Sequence, residues 1–245
     1  KNFIKNTSIS ETKVIPLDKF FNIKVEEKIE ENSINVYTDG SCYGNGLKVS
    51  YGGYGGYFGY NDLRNFYYPI VGKSTNNIGE LKAILTVLNI LELEIKNKNN
   101  IVIYTDSEYS IKCFTTYGNK LYKNMWKSNN NKPIPNLELI KQGYDIIKQN
   151  KNIKFIHIDA HTGKQDIHSK SNEEADQLAR KGMFKSIDCA NNLGFNKFKK
   201  GKYKNKTIND IFNIDKSYLI WYLNTKPYKG ENVFIYILKK YIEKH

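Results

Sequence analysis

Two segments of the chain have the apolar pattern of a β-strand and lead into an aspartate. Residues 34–38 alternate with the period of two that is typical of a strand, and Asp39 follows them. Residues 101–105 form a largely apolar run that is followed by Asp106. A carboxylate at the end of a strand, above a glycine-rich loop such as residues 40–46, is common at α/β active sites. The pattern therefore predicts two strands that each present an acid, with an ordinary Asp-Gly turn as the alternative for the first.

Two amphipathic segments place further acids on predicted helices. Apolar residues recur at helical spacing after Thr75, which predicts a helix with Glu80 in its first turn. Ser171 and Glu174 have the spacing of a capping box, which predicts a second helix with Asp176 in its second turn. The strand-end and helical acids have no obvious basic partner. If they converge, their mutual repulsion is tolerable only when divalent cations bind between them.

Weaker patterns complete a predicted α/β fold. The tyrosine- and glycine-rich residues 51–60 predict a strand, with residues 66–71 as its hairpin partner across a turn near Asn61. Residues 107–117 predict a helix, and residues 153–157 predict the last strand. The glycine density indicates close packing of the sheet. The alternative role for the interleaved tyrosines is a stacking platform for nucleic-acid bases.

The charge balance indicates a polyanionic partner. The 245 residues contain 38 Lys and Arg against 25 Asp and Glu, and nucleic acid is the simplest partner for a net charge of +13. The Lys and Asn content of an AT-rich genome is an alternative source of part of this excess. Cys42, Cys113 and Cys189 are too few and too scattered for a disulfide framework or a zinc site. Without a long apolar run or a secretory signal, we expect a soluble, intracellular protein with no membrane partner.

Four sequence motifs resemble those of type 1 ribonucleases H. They are Y-T-D-G-S-C, N-N-I-G-E-L, Y-T-D-S-E-Y and N-E-E-A-D-Q-L-A-R, and the match in order and spacing runs from about Ile34 to Gly182. The resemblance implies a ribonuclease H-like five-stranded mixed sheet flanked by helices, and hydrolysis of the RNA strand of an RNA–DNA hybrid. It also implies products with 5′-phosphate and 3′-hydroxyl ends, and two Mg²⁺ ions, for which Mn²⁺ can substitute. The implied metal ligands are Asp39, Glu80, Asp106 and Asp176.

Two other functions remain open from the sequence. One is another nuclease or strand-transfer enzyme of the same superfold, because a fold alone does not determine the substrate. The other is a non-catalytic nucleic-acid-binding protein. The presence of all four acids favours catalysis over binding alone.

By the same resemblance, further residues contact the hybrid. A DNA-phosphate pocket would use Lys73, Thr75 and Asn136, and a basic protrusion containing Tyr117 and Trp126 would grip the DNA strand. A place in the protein core is the alternative for Trp126. Minor-groove bases and 2′-hydroxyl groups would be contacted by the remaining residues. The complete set of predicted substrate-binding residues is Cys42, Gly44, Asn45, Lys73, Thr75, Asn76, Asn77, Glu108, Tyr117, Trp126 and Asn136.

A histidine completes the predicted catalytic residues. His161 follows the last predicted strand and corresponds to the mobile-loop histidine of the family, which is thought to assist proton transfer or product release. The loop between His161 and Asp176 is longer than in close relatives, and Ala160 occupies a position where Gly is usual. His157 and His168 are weaker candidates for the same role.

We predict three regions in the chain. Residues 1–32 form an N-terminal extension or linker, residues 33–189 form the catalytic domain, and residues 190–245 form a basic module after a linker near residues 188–194. This last segment holds twelve Lys against four acids. Residues 201–223 resemble a small C-terminal module of exodeoxyribonuclease X-like proteins, which suggests a nucleic-acid tether. We expect a monomer whose partner is the RNA–DNA hybrid.

Overall fold

One mixed sheet of five strands forms the centre of the structure. In the computed structural model, which describes residues 33–128, 132–160, 165–225 and 232–245, the strands are β1 (Ser33–Tyr43), β2 (Tyr51–Tyr57), β3 (Phe66–Ile70), β4 (Asn100–Thr105) and β5 (Ile153–His157). Their order in the sheet is β3-β2-β1-β4-β5. β1, β2 and β3 pair antiparallel, whereas β4 pairs parallel with both β1 and β5. The predicted five-stranded mixed sheet is confirmed.

Helices flank this sheet, as predicted, and continue after it. The α-helices of the described residues are α1 (Asn76–Ile90), α2 (Glu92–Lys96), α3 (Glu108–Phe114), α4 (Thr116–Lys123), α5 (Leu137–Gln149), α6 (Ile167–Asp188), α7 (Ile208–Ile214), α8 (Lys216–Thr225) and α9 (Val233–Glu243). A 3₁₀ turn, Leu193–Phe195, lies between α6 and α7. Within the described ranges, no helix combines the length and the apolar character that a membrane crossing requires.

The two faces of the sheet are both covered. Val36 of β1 and Ile103 of β4 belong to the main core, which they share with apolar residues of α1 and α5. Their neighbours Tyr37 and Tyr104 point to the other face, where the two rings stack with centroids 4.6 Å apart beside Ala175 of α6. Successive side chains of a strand point to opposite faces, so both sets of residues in these central strands are buried.

α6 lies very close to β2 because both elements carry small residues. A Cβ atom on Gly53 would overlap the backbone of Gly182 in α6. A Cβ atom on Gly55 would lie 2.7 Å from the backbone nitrogen of Ala179. The prediction that the glycines mark close packing is confirmed, and Tyr51 is only 3% exposed, too buried for base stacking.

The first strand is longer than its sequence pattern predicts. The pattern placed the end of the strand at Asp39, but β1 continues to Tyr43. Its parallel pairing with β4 ends at Thr38, and its antiparallel pairing with β2 extends to the pair Tyr43–Tyr51. Gly40 is therefore a strand residue and not part of a loop.

Two helix boundaries also differ from the predictions. α6 begins at Ile167, because the Asp166 carboxylate caps it by accepting a 2.9 Å hydrogen bond from the Ser169 N–H. Ser171, the predicted cap, is buried inside the helix, and Asp176 lies in the third turn. Thr75 does cap α1, and this cap places Glu80 in the second turn and not in the first.

The predicted hairpin and the predicted helix over residues 107–117 are correct in place and different in extent. β2 ends at Tyr57, and the turn to β3 includes Asn61 with a φ of 56°. The helix is divided into α3 and α4 at Thr115, whose φ of −125° and ψ of −100° interrupt the helical backbone.

The residues after α6 form a second apolar cluster, which we call the C-terminal cluster. Its fully buried members include Phe198, Ile208, Ile211, Leu219, Ile237 and Leu238, and they pack with Tyr51 of β2 and with Met183 and Ile187 of α6. Residues 33–245 belong to one compact unit. The predicted linker near residues 188–194 stays a prediction: α6 ends at Asp188, and Leu193 and Gly194 are buried. The predicted extension, residues 1–32, lies outside the described residues.

Candidate active site

Three of the predicted acids meet above the sheet. Carboxylate oxygens of Asp39, Glu80 and Asp106 all lie within 4.8 Å of one another. Asp176 lies outside this group, but it lines the same cavity of about 460 Å³, which we call the acid cavity. The cavity is lined by Asp39, Gly40, Ser41, Cys42, Asn76, Asn77, Glu80, Asp106, Ser107, Ala160 and Asp176. The structure thus gathers the four predicted metal ligands around one space.

A glycine contact brings the first two acids together. A Cβ atom on Gly40 would lie 2.6 Å from the carbonyl carbon of Gly79, so the strand and the helix touch through their backbones. Gly79 precedes Glu80, and Gly40 follows Asp39, so this contact places the two carboxylates side by side. The Gly40 N–H donates a 2.6 Å hydrogen bond to Asp39 Oδ1. Sequence analysis missed the role of Gly79, although the G-E pair after a capped helix start was visible.

The electrostatics of the acid cavity disfavour charge on its two most buried acids. Burial raises the pKa of Asp39 to about 7, and the charges of Asp106 and Asp176 act in the same direction. Burial, followed by the charge of Asp39, raises the pKa of Glu80 well above its ordinary value. In the absence of a cation, both carboxyl groups are therefore shifted toward their protonated forms.

The donor set fits a divalent cation. Glu80 Oε2 is buried and has no hydrogen-bond partner among the described residues. Within the same ranges, no lysine or arginine forms an ion pair with Asp39 or Glu80. Hard cations such as Mg²⁺ take carboxylate oxygens as ligands, and a cation would offset the burial and the mutual repulsion that raise both pKa values.

Several predicted substrate contacts border the acid cavity. Cys42, Asn76 and Asn77 line it, and burial raises the pKa of the Cys42 thiol to about 11. Asn45 Oδ1 accepts a 3.3 Å hydrogen bond from the Asn76 N–H, which links the β1–β2 loop to the start of α1. Gly44 has a φ of 74°, a conformation that favours glycine. Cys42, Asn76 and Asn77 thus border the acids, and Gly44 and Asn45 lie next to them in the β1–β2 loop. We call these residues the rim.

The other predicted contacts lie on separate elements. Lys73 is exposed before α1, and the Thr75 hydroxyl is occupied in capping that helix. Asn136 precedes α5 with a φ of 58°, and its side chain donates a 3.1 Å hydrogen bond to Tyr109 Oη. Glu108 is exposed in the first turn of α3, where it forms an ion pair with Lys112.

The predicted basic protrusion is α4 and the segment that follows it. Tyr117 and Lys120 lie beside a shallow cavity of about 210 Å³ that Lys127 also lines. Trp126 is half-buried, and its ring lies 5.7 Å from that of Tyr144, so it has both a core contact and an exposed part. The structure therefore supports elements of both interpretations of Trp126.

The histidines differ in their surroundings. His161 lies outside the described residues. His157 Nε2 lies 3.2 Å from the backbone oxygen of Asp106, at the rim of the acids. His168 Nδ1 lies 2.8 Å from Tyr37 Oη, and this contact joins the start of α6 to the sheet. Of these two, only His157 lies near an acid of the cavity.

Known proteins are similar to this chain in sequence. The RNase H family profile matches residues 31–184. The chain is 35% identical over 155 residues to a ribonuclease H of Wolbachia sp. subsp. Drosophila simulans (strain wRi), covering 63% of this chain and 98% of that protein. It is 38% identical over 148 residues to a ribonuclease H of Schizosaccharomyces pombe, covering 60% of this chain and 52% of that protein. The chain thus spans about half the length of the yeast relative.

A solved structure has the same fold. The foamy viral protease-reverse transcriptase in complex with RNA/DNA hybrid aligns with a TM-score of 0.52 at 21% identity, covering 71% of this chain and 24% of that chain. The sheet order, the four motifs and the family match over most of residues 33–189 agree with one another. On this evidence, the chain belongs to the RNase H family.

Proposed function

We propose that the protein hydrolyses the RNA strand of RNA–DNA hybrids and leaves 5′-phosphate and 3′-hydroxyl ends. The observation that carries this proposal is the convergence of Asp39, Glu80 and Asp106 within 4.8 Å, in a cavity that Asp176 also lines. The name ribonuclease H of the Wolbachia relative, which the chain matches over 98% of its length, supports the hybrid as substrate.

The four acids would hold two Mg²⁺ ions, with Mn²⁺ as a substitute. When bound, such ions activate the attacking water and stabilise negative charge on the leaving 3′-oxygen. The protein's own contribution is a set of buried carboxylates that would be deprotonated when a cation binds, since carboxylate ligands must be deprotonated. By the family resemblance, Asp39 would be the central ligand of this set.

The rim of the acid cavity would position the hybrid. The loop Cys42–Gly44, Glu80 and the backbone near Glu108 would contact 2′-hydroxyl groups, and Asn45 and Asn77 would reach bases in the minor groove. The DNA strand would be held at its phosphates by Lys73, Thr75 and Asn136, and by Tyr117 and Trp126 of the basic protrusion. Reading 2′-hydroxyl groups is what distinguishes RNA from DNA at a given position.

His161 would assist proton transfer or product release. We expect His161→Ala to slow turnover within the range of about 10²–10⁴-fold that is typical of lost proton-transfer assistance. His157→Ala and His168→Ala are the matched controls in the same kinetic assay. If His161→Ala turns over at the wild-type rate and one of the two controls is impaired, the role belongs to the histidine that is replaced in the impaired control.

The C-terminal residues 190–245 would supply affinity and no chemistry, following a catalytic domain of residues 33–189. Their charge and their resemblance to the small module of exodeoxyribonuclease X-like proteins support nucleic acid as their partner. We also expect the protein to act as a monomer.

A cleavage assay tests the proposed function. RNA–DNA hybrid, double-stranded DNA and double-stranded RNA of one sequence are incubated with the protein, with and without Mg²⁺. We expect cleavage of the RNA strand of the hybrid alone, and only with Mg²⁺. Cleavage of double-stranded DNA would identify another nuclease activity of this superfold. Hybrid binding without any cleavage would identify a non-catalytic binding protein.

A further inference from the structure

The C-terminal segment contains a basic loop of defined shape. Between Lys197 and Lys206, six of ten residues are lysines and none is acidic, and we call this segment the basic loop. Its two ends are joined by backbone hydrogen bonds, from the Phe198 N–H to the Lys206 oxygen at 3.0 Å and from the Asn205 N–H to the Phe198 oxygen at 2.7 Å. Lys197 and Thr207 form an antiparallel bridge beside them. The loop is thus closed at its base.

Buried contacts fix the basic loop to the RNase H sheet. Phe198 is only 1% exposed, and its ring packs against those of Tyr222 and Phe234, at centroid distances of 5.0 and 4.9 Å. The adjacent Asn196 side chain donates a 2.7 Å hydrogen bond to Tyr51 Oη at the start of β2. The anchor therefore lies on a strand of the catalytic fold, and the loop has a fixed position relative to it.

The basic loop reaches the strand that carries the central acid. The Lys199 ammonium lies 5.8 Å from the centroid of the Tyr43 ring. Tyr43 ends β1 and directly follows Cys42, which lines the acid cavity. The four residue steps from Asp39 to Tyr43 span about 13 Å, at about 3.3 Å per residue. Phosphates of one duplex strand are spaced about 3.4 Å along the axis, so a strand that passes both points would span only a few nucleotides between them.

The charges of the basic loop are available to a ligand. Lys199, Lys200 and Lys204 are exposed, and none of them has an acidic partner within 4.0 Å in the part of the chain that the structure describes. Lys202 differs, since its ammonium pairs with Asp215 at 3.1 Å. A row of exposed ammonium groups beside a nucleic-acid cleft is suited to the phosphates of a strand.

We propose that the basic loop is a fixed extension of the hybrid-binding surface on the β1 side of the acid cavity, with Lys199 at a phosphate a few nucleotides from the cleaved one. This inference rests on the proposed hydrolysis of hybrids. The partner is the strand backbone that runs past the Cys42–Gly44 rim, so the contact is independent of base sequence. A fixed contact is also restricted to one side of the cleavage site, because the basic loop can bind only duplex that extends toward it.

Hybrids with a single short run of ribonucleotides test this direction. Three substrates carry duplex on both sides of the cleavable run, on its 5′ side only, or on its 3′ side only. Lys199→Glu is compared with Lys151→Glu, which makes the same charge change before β5, at the end of the strand opposite to the acids. Lys199→Gln serves as a second variant that removes the charge without adding a new one.

We expect Lys199→Glu to raise KM about three- to tenfold at 200 mM salt for the two-sided substrate and for one of the one-sided substrates. For these substrates, the slope of log KM against log salt concentration should fall by about 0.9. For the other one-sided substrate, KM should equal that of the wild type. The value of kcat and the melting temperature should not change, because the Lys199 side chain is exposed.

Three results would overturn the proposal. They are equal KM increases for both one-sided substrates, an equal increase in Lys151→Glu, and no increase with either Lys199 variant. The first two would indicate a long-range charge effect, and the third would favour a protein partner for the basic loop. Failure of the wild type to cleave any hybrid would instead refute the proposed function.

Discussion

The acid cavity and the C-terminal cluster both include residues of β1 and have opposite energetics. In the acid cavity, the packing of the elements brings carboxylates together, and their burial raises the pKa values of Asp39 and Glu80. In the C-terminal cluster, burial removes aromatic and aliphatic side chains such as Phe198 and Leu238 from water, which stabilises the fold. The metal-free cavity is therefore a source of strain that apolar packing elsewhere must offset.

β1 connects these two regions. Asp39 in its middle belongs to the acid cavity, and Tyr43 at its end packs against the C-terminal cluster. A change in the cluster can therefore reach the substrate through the position of the strand end and the basic loop. Because the cluster contributes no described residue to the acid cavity, we expect chemistry and stability to respond to different substitutions, apart from this link through β1. The following variants test that expectation.

The largest effect is expected for Asp39→Asn, which should lower kcat on the hybrid by about 10³-fold or more. A neutral amide cannot compensate the charge of the bound cations, so the loss is of chemistry. Hybrid binding, measured by fluorescence anisotropy, should be largely retained, and the metal-free protein should be at least as stable as the wild type. Turnover at the wild-type rate would contradict the assignment of the acid cavity.

The next largest effect is expected for Phe198→Ala, which should lower the free energy of unfolding by about 3–5 kcal/mol. The ring is fully buried among aromatic side chains, so its removal leaves a cavity. Trp221→Ala is the matched control, because that ring is 54% exposed and should lose much less. Chemical denaturation measures both variants. A large loss in kcat for Phe198→Ala at a temperature where it is folded would show that the two regions are not separable.

A pH series should reveal the strain of the acid cavity. Because the pKa of Asp39 is raised to about 7 in the folded state, the folded protein holds a proton that the unfolded chain releases above its ordinary pKa of 3.8. The metal-free protein should therefore lose stability as pH rises from about 4 to 7, by up to about 4 kcal/mol from this residue. Asp39→Asn should lack this part of the decrease.

Divalent cations should reverse that loss. Mg²⁺ binds the deprotonated acids of the folded state, so it should raise the melting temperature at pH 7 more than at pH 5. Thermal unfolding with Mg²⁺ and with EDTA provides the comparison. An equal shift at both pH values would mean that the cation binds elsewhere.

The smallest effect is expected for Tyr51→Phe, which removes the hydrogen bond between the sheet and Asn196. The free energy of unfolding should fall by about 0.5–1.5 kcal/mol, the usual contribution of one such bond. The value of kcat should stay unchanged, because Tyr51 does not line the acid cavity. A stability loss as large as that of Phe198→Ala would show that this hydrogen bond, and not the apolar packing, holds the C-terminal cluster in place.

The sequence patterns determined the elements whose signals are local. The alternation in β1 and the apolar run of β4 report which faces are buried, and the Thr75 cap reports the start of α1, because these signals depend on neighbouring residues. The order and spacing of the motifs were sufficient to name the four acids. The motifs could not show that, among the described residues, Asp39, Glu80 and Asp106 lie within 4.8 Å of one another while Asp176 lies outside this group. That arrangement follows from how the elements pack.

The tertiary structure alone decided where β1 ends, where α6 begins and where residues 190–245 lie relative to the sheet. β1 extends past Asp39 because β2 supplies backbone partners as far as Tyr43, and no local pattern reports a strand's neighbours. The docking of Phe198 and Asn196 on β2 joins residues that are far apart in the chain, and it depends on the fit of two apolar surfaces. Lysine content predicted that residues 190–245 are basic. Only the packing of those residues brought Lys199 to the end of the strand that carries Asp39.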